Sequence, residues 1–132
     1  MKNIIFLLSI LSLITITLNA KNDSSDTLKV KAKYSSTFYT CEKASPNINE
    51  CLDKELKKQD KYLNVAYQKA IKEIQPFRKR SLKEMQRTWI KYRNQKCTFY
   101  SHKESGSGGL TDAIQCELDM TMQRTIELKE IQ

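Results

Sequence analysis

The sequence predicts a small all-α protein, a disulfide-stabilised bundle of about three main helices. Three observations predict it. Apolar residues recur at helical spacing in three separate stretches, the four cysteines form an even set, and an apolar N-terminal run directs them to an oxidising compartment.

Residues 1–20 read as an export signal. Lys2 supplies the positive start, Ile4 to Leu18 is an almost unbroken apolar run, and Asn19-Ala20 offers a small residue for cleavage after Ala20. A run of about fifteen apolar residues falls short of the roughly twenty a spanning helix needs, so cleavage is favoured over anchoring and no stable transmembrane span is expected after processing. The first cysteine, Cys41, stands far from that cut, which argues against a lipid anchor there. Residues 21–40 are polar and read as a flexible lead-in, with an Asn22-Asp23-Ser24 sequon that matters only in a glycosylating host. Residues 41–132 are then one helical domain, a size at which cross-links weigh heavily.

Cys41, Cys51, Cys97 and Cys116 allow three pairings, and the sequence alone does not choose among them. Cys41 with Cys51 and Cys97 with Cys116 is the favoured set, because each closes a modest loop and the second ties two helix ends together. Such loops stabilise by about 2.5 to 3 kcal/mol each. A zinc site is disfavoured, since no close Cys-x-x-Cys pair exists and oxidation competes with metal; no metal or other cofactor is expected.

The first long helix is expected from about Asn49 to Ile74, with an apolar stripe of Leu52, Leu56, Leu63, Ala66, Tyr67, Ala70, Ile71 and Ile74. Pro76 ends it. The second helix runs to about Lys96 and starts in one of two ways. Either Ser81 and Glu84 cap it, or Pro76 occupies its first turn and Arg78, Lys79 and Arg80 lie inside it. Leu82, Met85, Gln86, Trp89, Arg93 and Cys97 share its inner face. Gly106, Gly108 and Gly109 read as a turn with positive backbone angles. The last helix starts near Thr111 or Asp112 and buries Ile114, Leu118, Thr121 or Met122, Thr125 and Leu128.

Charge is unevenly placed. Residues 54–103 carry fifteen Lys or Arg against four Asp or Glu, whereas residues 104–132 carry two against six, within a formal net charge of +8 for the whole chain. Export argues against nucleic acid as the partner and leaves an anionic wall polymer, a lipid headgroup or an acidic protein cleft. Arg78, Lys79, Arg80 and Lys83 form one candidate binding patch and the loop from His102 to Leu110 another. Catalysis finds little support. His102 is the only histidine and lacks a triad motif, and Asp60, Glu73 and Glu84 lie among lysines that explain them as solvated pairs. Asn64, Gln86, Arg93 and Arg124 lie near the apolar stripes, where burial would demand a shared hydrogen-bond network with Asp60 or a backbone carbonyl.

Asp60 with Leu63-Asn64 and Tyr67, then Gln86, Trp89, Tyr92-Arg93 and Cys97, then Gly108-Gly109, Cys116, Thr121, Arg124 and Leu128 form a pattern that resembles the LprI-like lysozyme inhibitor family over about residues 41–130. The resemblance implies an exported helical protein with paired cysteines, some relatives of which inhibit lysozyme. Leu110 departs from the serine that many members carry there, and the positive charge would hinder steering toward basic lysozymes. The resulting expectation is a non-enzymatic periplasmic or secreted inhibitor of a lysozyme-like or other peptidoglycan hydrolase, an immunity protein among the forms it could take. The alternative is an envelope protein that attaches through its basic surface to an anionic component.

Overall fold

The computed structural model describes residues 34–106 and 108–131. The expected signal, and the lead-in as far as residue 33, lie outside the described residues. The fold is all-α: α1 (Ser36–Ala44), α2 (Ile48–Glu73), α3 (Pro76–Thr98) and α4 (Gly109–Glu130), with single 3-10 turns at Phe99–Ser101 and Lys103–Ser105. The last three are the expected main helices.

Helix α1 begins inside the stretch read from sequence as a flexible lead-in. Its apolar content is too sparse to mark a helix, and what orders it comes from elsewhere in the chain. Ser35 caps it by accepting from the Phe38 N–H, and Phe38 is buried between α2 and α4. Glu55 of α2, only 2% exposed, accepts from the Ser35 backbone N–H at 3.0 Å, from the Ser35 hydroxyl, and from the Gln59 amide at 2.7 Å. Burial alone would raise the Glu55 pKa. The Ser35 and Gln59 hydrogen bonds, with Lys58 nearby, outweigh it and hold the carboxyl below its usual range. On the far side, Tyr34 donates to Asp119 of α4 at 2.9 Å, and burial together with that carboxylate pushes the phenol up to about 12. The Cys41–Cys51 disulfide joins α1 to α2 covalently.

Asn47 caps α2 by accepting from the Asn49 N–H. At the other end Ile74 is buried and Gln75 is extended, as a residue before proline prefers, so α2 turns into α3 over two residues. Pro76 sits at the first position of α3, where its missing N–H costs nothing. Arg78, Lys79 and Arg80 are therefore helical, and Glu84 pairs with Arg80 instead of closing a capping box.

The chain's second reversal differs from the sequence expectation. Of the three glycines only Gly106 has a positive φ, +69°, and α4 starts at Gly109, ahead of Thr111 and Asp112. Gly109 is required by contact: a Cβ there would lie 2.6 Å from the Tyr100 carbonyl oxygen and 2.7 Å from Ser105 Cβ. Thr111, expected as a cap, instead donates to Asn49 Oδ1 at 2.7 Å and joins the starts of α4 and α2.

That bond fixes the topology. Helices α2 and α4 run parallel, since their starts meet at Asn49 and Thr111 and their later halves meet where Leu63, Ala66 and Ala70 pack with Leu128. Helix α3 runs back along α4, with Cys97 bonded to Cys116 near one end and Leu82 in the cluster of Leu128 at the other. Helix α4 is thus central, and its Leu118, Thr121 and Leu128 are fully buried. The core divides in two. Phe38, Leu52, Leu118 and Met122 form the part beneath α1, and Leu63, Ala66, Ala70, Ile74, Leu82 and Leu128 form the other.

Candidate functional site

Polar side chains fill the space between the two apolar clusters. Arg93 of α3 donates to Asp60 of α2 at 3.1 Å and to the Thr121 hydroxyl of α4 at 2.8 Å, so one guanidinium links all three long helices. One turn along α4, Arg124 donates to Gln86 at 2.9 Å and to Glu127 at 2.9 Å, with Arg124 and Gln86 both buried. Trp89 lies under both cations, its ring centre 5.3 Å from the Arg93 Cζ and 5.8 Å from that of Arg124. Arg124 Nη2 is buried with no hydrogen-bond partner among the described residues, and the ring face offsets part of that cost.

This layer gathers Asp60, Gln86, Trp89, Arg93, Thr121 and Arg124, with Leu63, Tyr67 and Leu128 in the apolar cluster beside it. Asn64 departs from the expected network, being exposed on the outer side of α2. The layer binds helix to helix. Its cations face an indole, two carboxylates and hydroxyl or amide oxygens within the protein, an arrangement that ties α2, α3 and α4 to one another.

The surface that this framework holds up is the turn between α3 and α4. Cys97 is fully buried and its bond to Cys116 pins both feet of the turn. Between them the backbone is tied to itself: Ser101 Oγ donates to the Thr98 carbonyl at 3.0 Å, Ser105 N to His102 O at 2.8 Å, and Gly109 N to Gly106 O at 3.3 Å. His102 Nδ1 accepts from the Glu104 N–H at 3.3 Å, which makes the only histidine a turn cap. On this turn stand Phe99, 78% exposed, Tyr100, 40% exposed, and Leu110, 55% exposed. The Phe99 and Tyr100 rings meet edge to face at 5.9 Å. Large apolar side chains held in water on a tied backbone form a surface suited to another protein.

The glycines and His102 mark the loop in the sequence, whereas Phe99 and Tyr100 carry no motif of their own. The two aromatics stand two and three residues after Cys97, beyond the last inward position of α3, which is the signal that marks them. The other candidate patch lies elsewhere. Arg78, Lys79, Arg80 and Lys83 occupy the first turns of α3, whereas His102 lies past its last, and a 23-residue helix is about 35 Å long. The two patches are therefore separate surfaces.

Among protein-family models, the one described as Lysozyme inhibitor LprI matches residues 41–128. No curated protein and no solved structure matches the chain.

Proposed function

Because the chain belongs to the LprI lysozyme inhibitor family, we propose that it is an exported, non-enzymatic inhibitor that occludes the catalytic cleft of a lysozyme-type peptidoglycan hydrolase with the turn from Phe99 to Leu110. The observation that carries this reading is the exposure of Phe99, Tyr100 and Leu110 on a turn pinned by the Cys97–Cys116 disulfide. A turn restrained by a disulfide at its feet has less conformational entropy to lose on association, and buried aromatic anchors supply most of the affinity of such interfaces. Lys103 stands in the same turn and is the group placed to meet the acidic residues that glycoside cleavage needs. The basic stretch from residue 54 to 103 favours approach to an acidic cleft, so the association rate should fall with salt while dissociation changes little. Export to the periplasm or medium is supported by the reading of residues 1–20 and by the two disulfides.

Titration of the oxidised protein into several muramidases, followed by wall-lysis rate, tests this reading. Saturating inhibition at one-to-one stoichiometry, weakened at least tenfold in F99A/Y100A, is the expected result, an alanine pair at an interface centre costing about 1.4 kcal/mol or more. Absence of binding to any of the hydrolases at low salt would remove the proposal, and attachment to wall polymer through the basic surface would then take its place.

A further inference from the structure

The bundle end opposite the turn carries a second exposed patch. Phe77 is 77% exposed, and within the chain its ring meets the Arg78 guanidinium at 5.8 Å. Arg78, Arg80 and Lys83 are exposed around it and Lys79 is half-buried. Lys69 and Lys72 of α2 and Lys129 of α4 are exposed near the adjoining helix ends, against the carboxylates of Glu73, Glu84 and Glu130. Arg80 engages Glu84 at 3.2 Å and Arg124 engages Glu127 at 2.9 Å, which leaves Lys69, Lys72, Arg78, Lys79, Lys83 and Lys129 against Glu73 and Glu130.

We propose that this end of the bundle docks on a bilayer carrying anionic headgroups, with Phe77 at the level of the headgroups and the cations against the lipid phosphates. Charge complementarity selects an anionic partner. Phe77 selects a bilayer over a soluble polymer, because an apolar ring standing among cations gains from a headgroup boundary and gains nothing from a hydrated polyanion. The orientation that follows is specific. The length of α3 holds the Phe99–Leu110 turn about 35 Å from the contact, facing away from the membrane. Docking would then concentrate the protein at the envelope while leaving the turn open to a soluble enzyme.

The test is flotation of the oxidised protein with phosphatidylcholine vesicles, with and without one-third phosphatidylglycerol. Binding is expected only to the anionic vesicles. R78Q/R80Q/K83Q should weaken it by about 100-fold, and F77A by about tenfold. All four side chains are largely exposed, so melting temperature should match wild type in both variants. Muramidase inhibition should match wild type in F77A, whereas R78Q/R80Q/K83Q, which removes three charges of the steering stretch, should associate more slowly with its dissociation rate unchanged. Equal flotation of wild type and the triple variant would overturn the proposal. So would undiminished binding of F77A with full displacement by soluble polyphosphate, which would assign the patch to a polyanion. Lipid binding without any muramidase inhibition would leave this proposal standing and remove the inhibitor reading alone.

Discussion

The two disulfides offer a controlled comparison between stabilising the fold and holding the turn. Cys97 and Cys116 are separated by 19 residues, for which loop entropy gives about 3.2 kcal/mol at 25 °C. Cys41 and Cys51 are separated by 10, which gives about 2.7 kcal/mol. Removing either pair as C97A/C116A or C41A/C51A should therefore lower stability to a similar degree, by about 10–20 °C in melting temperature for a domain of this size. Alanine is chosen because a serine hydroxyl would be buried at position 97. Inhibition should separate the two variants. Without the Cys97–Cys116 bond the turn regains backbone freedom, and re-ordering only two of its residues on binding costs about 2–4 kcal/mol, a loss of roughly 30-fold or more in affinity. Without the Cys41–Cys51 bond the turn is untouched. The assay is an inhibition constant measured at a temperature where circular dichroism shows both variants folded. Equal loss of inhibition in the two, or full inhibition by C97A/C116A, would refute the assignment of the clamp.

Other perturbations probe the framework. Gly109→Ala should destabilise by about 1–3 kcal/mol in urea unfolding, because its Cβ meets the Tyr100 carbonyl at 2.6 Å, whereas Gly108→Ala enters open space and should shift stability by less than about 0.5 kcal/mol. Gln86→Ala leaves the Arg124 Nε donor buried without its acceptor and should cost about 1–3 kcal/mol, with a double-mutant cycle against R124M showing coupling between the two. Glu55 gives a pH dependence of known sign. Its folded pKa is depressed, so its contribution is present above the ordinary carboxylate range and is lost as pH falls through the folded pKa. The difference in urea midpoint between wild type and E55Q should therefore be constant near neutrality and shrink only in acid.

The long helices were legible because their information is local. Leu63, Ala66 and Ala70 recur at helical spacing, and Pro76 punctuates the chain where α3 begins. Of the three disulfide pairings the sequence leaves open, the one favoured for its modest loops is the one the structure has. Helix α1 was hidden because its stability is tertiary: Phe38 packs against residues far along the chain, and Ser35 is held by Glu55. The start of α4 was misplaced for a like reason, since Thr111 has good capping chemistry but finds Asn49, while the close approach of Tyr100 to Gly109 has no trace in sequence spacing. The buried layer was anticipated for Gln86, Arg93 and Arg124, which lie beside apolar stripes, although Asn64 turns outward one position past Leu63. The turn is marked by its glycines, while the exposure of Phe99 leaves no trace, because a Phe at the end of an amphipathic helix reads equally well as core.

On the proposed function, the clamped turn is the surface that inhibits a muramidase. The most direct test is the inhibition constant of F99A/Y100A beside wild type, against a hydrolase that the wild-type protein inhibits. The expected result is a melting temperature within a few degrees of wild type, Phe99 being 78% and Tyr100 40% exposed, together with at least a tenfold weaker inhibition. Wild-type inhibition by the folded double variant would contradict it.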